Sequence, residues 1–470
     1  MALSLSPCTR PGSRRPRSGP LSDRWLRRLH GESGQASAEH AGVIVVVVLL
    51  VLALAAGFTP LGARIASGIQ CTISSIFSDG GACGGEPAPP SDGQPQQGPV
   101  DRAKVDEALK RTREALKQAW MDEVTPEELE EIDRQLAGLN GAEVDTFIAG
   151  MSDDELRTWI SAMEGKLGFF ETEGWSIERR QQMWSRVLPN ASAETVRRLA
   201  GLTKDIQPRI DDVGGDDANS KGKGNGFSYQ ESQGSPVVDG VSPSDISQGQ
   251  IGDCWYIAAL KSVAAADPSV IENAITDNGN GTYTVRLYHD GKPVDITVTG
   301  DEVVDKNGNQ GFARSGNRSE MWPQLMEKAL AAYEGSYGAI EGGSAGNGME
   351  VITGKPSANG ATSSYGAADL KAELDRGHAV TLHSQPEPQN GERENPLYGD
   401  NPVDSKGNPL WEPLAHGHAY QVTAVDLGDP NDPSDDTVTV QNPWYPDKPM
   451  TLPYEDWKNG FSWVFTNPVK

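Results

Sequence analysis

Three side chains in the C-terminal half of this sequence are of the types that nucleophilic acyl transfer needs. A cysteine, Cys254, opens an apolar run, Gly417-His418-Ala419-Tyr420 places an imidazole at the start of a predicted strand, and Gln441-Asn442-Pro443-Trp444 ends the next strand with an amide. A thiol nucleophile needs a base to take its proton and a third group to hold that base in one tautomer. Cys254, His418 and Asn442 supply these groups in that order.

The segment before the cysteine predicts how its thiol is activated. From Gln248 to Leu260 the chain changes from polar and glycine-rich to apolar and alanine-rich. We expect the Asp253 carboxylate to cap a helix whose first residue is Cys254, where the helix dipole favours a thiolate. Gln248 carries an amide that could stabilise an oxyanion. The alternative is that Cys254 is a buried structural cysteine.

Other residues compete for the roles of base and orienting group. His416 would share a strand face with His418, His383 follows a strand, and His289 and His378 are expected to be solvated. Asn442 could instead be a turn residue that ends its strand before a proline. If it does contact His418, we expect Trp444 to cover that hydrogen bond and to shield it from water.

The elements that must position these groups predict an α+β fold. A helix at Cys254 and another over 321–330 precede most of the strands, which are predicted at 379–382, 419–425 and 437–440. Alternating residues on either side of Asp290-Gly291 predict a hairpin over 282–298. His418 and Asn442 begin and end neighbouring strands, and a hairpin with an acidic connector over 426–436 would bring them into contact.

Length and charge limit the classes of function. The 470 residues predict two or three domains, and 66 acidic against 41 basic residues give a net charge of -25. This charge argues against a nucleic-acid partner. The four cysteines, Cys8, Cys71, Cys83 and Cys254, form neither a disulfide framework nor a zinc-binding spacing.

The N-terminal stretch has the composition of a membrane anchor. Residues 1–40 begin as a basic cytoplasmic or leader segment, and residues 41–60 form an apolar run long enough for a transmembrane helix. The arginine excess predicts a single-pass orientation in the cell membrane, with the remainder of the chain outside the cell. A cleaved secretory signal is the alternative. Residues 61–100 read as a linker in which a Cys71–Cys83 disulfide is plausible in an oxidising location, with two free thiols as the alternative.

Two further segments separate this region from the predicted catalytic domain at 236–470. Residues 101–210 predict several short helices, with capping boxes at Thr125 and Ser152 and helix starts at Ser176 and Ser192. This segment could be a spacer, a docking module or a pro-region that occludes the cleft. Residues 211–235 read as a flexible linker.

The junction Gly34-Gln35-Ala36-Ser37-Ala38-Glu39 resembles the leader junction of type IV pilin-like proteins of actinobacteria. In that family cleavage follows the glycine, and a glutamate stands five residues on, as Glu39 does here. His40 departs from the pattern, since an aromatic residue is usual there. The resemblance implies processing between Gly34 and Gln35, followed by release or assembly at the surface, and a plain membrane anchor is the alternative.

The segment Gln248 to Leu260, together with Gly417-His418-Ala419-Tyr420 and Gln441-Asn442-Pro443-Trp444, resembles the calpain family of cysteine proteases. The resemblance covers most of 241–465. It implies a papain-like two-lobed domain in which Cys254 is the nucleophile, His418 the base, Asn442 the orienting group and Gln248 the oxyanion donor.

The chain departs from the calpain pattern in two ways. Tyr445 stands where the family usually has glycine, and the regulatory EF-hand domains of the family are not expected after the core. The acidic loop that starts at Asp305 does not fit a calcium-binding loop either, since Gly316 and not glutamate stands at its twelfth position. The chemistry itself requires no cofactor, whereas the resemblance leaves a Ca²⁺ requirement open and names no metal ligands.

These observations predict a cysteine endopeptidase that acts on a protein or peptide substrate through a thioester acyl-enzyme. Two alternatives stay open. One is a catalytically inactive, calpain-like or pilin-like surface protein, and the other is a different acyl-transfer enzyme that uses the same triad. The products formed from a mixed peptide library distinguish hydrolysis, crosslinking and no reaction.

Overall fold

The structure is a computed structural model that describes residues 98–117, 124–167, 170–171, 173–213, 226–232, 234–316, 320–389 and 395–469. The predicted leader, the apolar run at 41–60 and the Cys71–Cys83 pair lie outside the described residues.

The segment predicted to be helical is helical, and its capping signals are confirmed. Thr125 and Ser152 each form a capping box, and Ser176 and Ser192 each accept a hydrogen bond from the first helical turn. Asn140 forms a third capping box, which was not predicted. Six helices and a short hairpin follow one another: α1 Arg102–Lys117, α2 Pro126–Ala137, α3 Gly141–Gly150, α4 Asp153–Met163, β1 Lys166–Leu167, β2 Phe170–Glu171, α5 Ile177–Val187 and α6 Ala193–Ala200.

The remaining elements begin inside the segment that was expected to be a flexible linker. A strand at Ser228–Gln230 pairs antiparallel with Glu302–Val304, so ordered structure starts before residue 236. Backbone pairing with a distant strand explains why local composition did not reveal it. The elements up to residue 353 are β3 Ser228–Gln230, α7 Cys254–Ala266, α8 Ser269–Glu272, β4 Ile275–Asp277, β5 Thr282–His289, β6 Lys292–Thr299, β7 Glu302–Val304, α9 Trp322–Glu334 and α10 Ala345–Thr353.

The hairpin predicted over 282–298 is present as β5 and β6. Its two turn residues, Asp290 and Gly291, have φ values of 48° and 70°. A two-residue turn with both φ values positive matches the twist of the strands it joins, and Gly adopts this conformation without strain.

The C-terminal part forms an antiparallel six-stranded sheet with the order β12-β11-β10-β9-β13-β8. Its elements are β8 Ala358–Ala361, α11 Ala367–Asp375, β9 Ala379–Ser384, β10 Ala419–Asp426, β11 Thr437–Gln441, β12 Pro449–Pro453, α12 Tyr454–Gly460 and β13 Phe461–Asn467. The mixture of helices and antiparallel strands confirms the α+β class.

Residues 226–469 pack around two apolar cores. One surrounds α7, α9 and α10, with the hairpin packed against them, and we call it the helical lobe. The other lies on the C-terminal sheet with α11 and α12, and we call it the sheet lobe. A third core fills the helical segment at 102–206.

The helical segment packs against the hairpin side of the helical lobe. Buried Asn280 donates from Nδ2 to the carbonyl oxygens of Leu188 and Ala191, both at 2.7 Å. The Ser185 hydroxyl donates to the Asp295 carbonyl at 2.6 Å. These contacts attach the helical segment to the side of the helical lobe that is formed by β5 and β6.

Among the described residues, no helix is both long and apolar enough to cross a membrane.

We predict that Asn280→Ala weakens the attachment of the helical segment. The substitution removes the Asn280 donor from two buried carbonyl groups, of which only Leu188 keeps a hydrogen bond, from the Ala191 N–H. The free energy of unfolding should therefore fall by about 1–3 kcal/mol. Urea denaturation followed by tryptophan fluorescence measures the change.

Asn278→Ala is the matched control, because Asn278 makes its side-chain bonds to Thr282 and Thr284 within its own hairpin. It should cost less than about 1 kcal/mol. Equal losses in the two variants would contradict an anchoring role for Asn280.

Candidate active site

The imidazole and the amide predicted to meet do so at the ends of neighbouring strands. Strands β10 and β11 pair with Gln421 opposite Gln441, so His418 and Asn442 lie just beyond the same end of the pairing. The His418 Nε2 and Asn442 Oδ1 atoms are 2.9 Å apart, and both residues are buried. Because a carboxamide oxygen only accepts, His418 carries its hydrogen on Nε2, which makes Nδ1 the basic nitrogen.

The surroundings of His418 change the pKa of its imidazole. Burial lowers the pKa of His418 to about 4, while the hydrogen bond to Asn442 acts in the opposite direction. Within the described residues, Nδ1 has no hydrogen-bond partner. A negative charge beside Nδ1 would therefore be needed to hold the ring in its protonated form.

The sulfur of Cys254 lies against the strand that carries the imidazole. Cys254 is the first residue of α7, and its Sγ accepts a hydrogen bond from the Ala419 N–H at 3.4 Å. Ala419 directly follows His418, so helix α7 of one lobe meets strand β10 of the other at this point. Cys254 is disulfide-bonded in this structure.

The other histidines make contacts away from this pair or are engaged elsewhere. The His416 ring stacks on Tyr398 at 4.1 Å. The Nε2 atom of His383 accepts a hydrogen bond from the Ala345 N–H at 3.3 Å, and burial lowers the pKa of His383 to about 4. His378 pairs with Glu373 at 2.6 Å, and His289 is the last residue of β5, next to the hairpin turn.

Gln248 lies in a loop that is fixed to both lobes. Its backbone N–H donates to the Pro443 carbonyl at 3.0 Å, and its side-chain Nε2 donates to the Ile251 carbonyl at 2.8 Å. The next residue must be glycine, because a Cβ on Gly249 would stand 2.3 Å from the Gly311 carbonyl oxygen. One amide hydrogen of Gln248 is therefore used within the loop, and the Gln248 side chain also interacts with the Asp253 carboxyl group.

Asp253 stands at the N-cap of α7 as predicted, but the capping expected from its carboxylate is wrong. The side chain accepts no capping hydrogen bond, and the φ and ψ of Asp253 are -102° and 24°. The carboxyl group is instead fully buried and interacts with Glu327 of α9. Tertiary packing has turned this acid inward, so it does not accept the first-turn N–H groups.

Asp253 and Glu327 form a buried carboxyl pair beneath the start of α7. Glu327 accepts a hydrogen bond from the Ala313 N–H at 2.9 Å. Burial raises the pKa of Asp253 to about 7. Burial and the neighbouring Asp253 carboxylate raise the pKa of Glu327 well above its usual range. Two like charges held this close cannot both ionise near neutral pH, so the pair retains a proton.

Trp444 packs on the imidazole as expected. The centroids of the Trp444 and His418 rings are 4.3 Å apart, and the indole is buried. The Trp444 N–H also donates to Asn442 Oδ1 at 3.0 Å. Trp444 therefore contributes through its backbone as well as its ring.

Sequence reasoning missed two acidic residues of this region. Glu327 interrupts the apolar face of the helix predicted over 321–330, and a lone acid at such a position was a usable signal. Glu412 accepts a hydrogen bond from Asn442 Nδ2 at 3.2 Å. Nothing in the local sequence marks Glu412, because the contact joins two loops 30 residues apart.

In the described parts of the chain, no three histidine, cysteine or acidic side chains are grouped so that they could hold a metal ion.

We predict that Glu327→Gln stabilises the protein, and more so as pH rises. Because both folded-state pKa values are raised, the favourable contribution of the buried acids is complete below pH 4 and is lost as pH rises through about 7. The glutamine keeps an oxygen for the Ala313 N–H but cannot ionise. Relative to wild type, the free energy of unfolding should increase by about 1–3 kcal/mol between pH 5 and pH 8.

Urea denaturation of both proteins across this range tests the effect, since groups common to the two proteins cancel in the difference. A difference that is the same at every pH would contradict the coupling of Glu327 to Asp253.

The region that contains the candidate site is similar in sequence to known proteins. Residues 229–459 match the family described as "Calpain family cysteine protease". Calpain-B of Drosophila melanogaster is 28% identical over 237 residues, which are 47% of this chain and 23% of the relative. The Calpain-1 catalytic subunit of Sus scrofa is 29% identical over 215 residues, which are 44% of this chain and 28% of the relative. A calpain-type cysteine protease of Zea mays is 30% identical over 222 residues, which are 46% of this chain and 10% of the relative.

The chain thus spans about a quarter or less of the length of these relatives. The family match begins after the helical segment at 102–206 and covers every residue of the candidate site and most of both lobes. Residues 229–459 of this chain are similar to the cysteine protease domain of the calpain family.

Proposed function

We propose that this domain is a cysteine endopeptidase in which Cys254, His418 and Asn442 act as a triad. The observation that carries the proposal is the buried hydrogen bond of 2.9 Å between His418 Nε2 and Asn442 Oδ1. It assigns the hydrogen to Nε2 and leaves Nδ1 as the base, next to the residue whose N–H meets the Cys254 sulfur. This is the proton arrangement that thiol activation requires.

The reaction begins when His418 Nδ1 takes the thiol proton and Cys254 becomes a thiolate. The sulfur attacks the carbonyl carbon of a peptide bond, and the carbonyl oxygen becomes an oxyanion. Helix geometry leaves first-turn N–H groups without an intrahelical acceptor, and we assign the N–H of Cys254 and the side-chain amide of Gln248 to this oxyanion.

The tetrahedral intermediate collapses when the C–N bond breaks and His418 gives its proton to the departing amine. A thioester on Cys254 remains. His418 then removes a proton from water, the hydroxide oxygen adds to the thioester carbonyl, and the carboxylic acid leaves as the sulfur takes up the negative charge again. The substrate is a protein or peptide, and no cofactor enters these steps.

We predict that Cys254→Ala abolishes hydrolysis of a mixed peptide library and leaves the thermal melting curve unchanged. The variant lacks the thiol that we assign as the nucleophile, so acyl transfer cannot begin. Assays need a thiol reductant, because the sulfur of Cys254 is disulfide-bonded in this structure. Mass spectrometry of the products distinguishes cleaved from crosslinked peptides.

Two companion variants sharpen this test. Replacing Cys8, Cys71 and Cys83 together by serine should retain hydrolysis under reducing conditions. Gln248→Ala should keep the reactivity of Cys254 towards iodoacetamide and slow hydrolysis by about 10²–10³. Hydrolysis by Cys254→Ala would refute the protease assignment, crosslinked products would indicate the other acyl-transfer enzyme, and a wild type without products would indicate the inactive surface protein.

We further propose that residues 41–60 anchor the chain in the cell membrane with the catalytic domain outside the cell. The support is an uncharged run of sufficient length that follows an arginine-rich segment. The protein should sediment with membranes and resist carbonate extraction, and deletion of 41–60 should release it. N-terminal sequencing of the mature protein tests processing between Gly34 and Gln35, and full extraction by carbonate would contradict the anchor.

A further inference from the structure

The Asn442 side chain is held at both ends. Its oxygen accepts hydrogen bonds from His418 Nε2 at 2.9 Å and from the Trp444 N–H at 3.0 Å. Its nitrogen donates to Glu412 Oε1 at 3.2 Å. The hydrogen bonds therefore run in an unbroken line from the imidazole through the amide to a carboxylate.

We propose that Glu412 is a positioning residue that extends the triad to a line of four groups, Cys254, His418, Asn442 and Glu412. The inference rests on the proposed function, since it assigns Glu412 a part in the same proton transfer. Glu412 acts through Asn442 and touches neither the substrate nor the sulfur.

A carboxylate at this place has two physical consequences. It can only accept, so it turns the amide nitrogen of Asn442 towards itself and the oxygen towards His418. The Trp444 N–H imposes the same orientation from the other side. Two contacts therefore fix the orientation of the Asn442 amide, one with Glu412 and one with the Trp444 N–H. The contribution that only Glu412 makes is its negative charge.

That charge favours the protonated imidazole. His418 is buried, and the removal of water makes a nearby charge more effective than it is at a surface. The thiolate–imidazolium pair is the reactive form, and it is lost as pH rises through the pKa of the imidazolium. A carboxylate behind Asn442 should hold that pKa higher and extend the alkaline end of the active range.

The other groups that face His418 do not supply this charge. The His383 ring lies one strand away, and burial lowers its pKa to about 4, so it is neutral at assay pH. Tyr420 packs edge-on at 5.0 Å, and burial raises its pKa well above the usual range. The thiolate of Cys254 and the carboxylate of Glu412 are the anionic groups that remain among these neighbours.

The test compares Glu412→Gln and Glu412→Ala with wild type in the full-length, reduced chain. Glutamine keeps an accepting oxygen for Asn442 and loses only the charge, whereas alanine loses both. Glu455→Gln is the matched control, because it removes an exposed carboxylate from α12 of the same lobe. Thermal melting confirms that all four proteins are folded.

The first measurement is the rate of iodoacetamide labelling of Cys254 against pH, followed by mass spectrometry of the peptide that carries it. The labelling rate should change at the alkaline pH at which the imidazolium beside the thiolate loses its proton. We expect Glu412→Gln to shift this transition to lower pH by about half a pH unit or more, and Glu455→Gln to leave it in place. A labelling profile of Glu412→Gln that superimposes on wild type would overturn the inference.

The second measurement is kcat/KM for a cleaved peptide against pH. Glu412→Ala should lower kcat by about 10-fold with little change in KM, because the substrate does not touch this residue. A rise in KM with unchanged kcat would assign Glu412 to substrate binding and would also overturn the inference.

The two measurements separate failure of the inference from failure of the proposed function. If wild type labels with a shifted thiol pKa but cleaves no peptide, the protease assignment fails, and the labelling profiles still decide the role of Glu412.

Discussion

The hydrogen bond between His418 and Asn442 is the interaction on which the site depends. Both side chains are buried, and each would cost free energy without a partner, so their burial is tolerable only if they meet. The antiparallel pairing of β10 with β11 brings them to the same end of the sheet. A shift of this register by one residue would place the two groups on opposite faces.

The nucleophile reaches this pair from the other lobe, and several contacts hold the lobes in that relation. Besides the bond from Ala419 to the Cys254 sulfur, the Gln248 N–H donates to the carbonyl of Pro443, and the Ser262 hydroxyl donates to the Val380 carbonyl at 3.1 Å. These bonds cross between the two apolar cores. The sulfur and the imidazole belong to separately packed bodies, and their separation therefore depends on how those bodies dock.

The buried Asp253 and Glu327 and the partly buried Glu412 give the region an electrostatic character that its fold class alone does not require. Asp253 and Glu327 retain a proton beneath the first turn of α7, while Glu412 lies behind Asn442. Burying carboxyl groups lowers the free energy of unfolding, and these carboxyl groups lie close to the residues proposed to carry out the chemistry. Burial keeps the Asp253–Glu327 pair partly neutral, whereas Glu412 contacts the amide of Asn442 directly.

The sequence by itself determined the α+β class, the hairpin at Asp290-Gly291 and the helix capping boxes, because these follow from local periodicity and turn chemistry. It also singled out His418 and Asn442, since a short hairpin between them permits few arrangements other than contact. Tertiary structure alone decided the inward turn of Asp253, the pairing of 228–230 with 302–304 and the contact of Glu412 with Asn442. Each of these joins residues that are distant in the chain, and the free energy of burial that selects them is not written in the neighbouring residues.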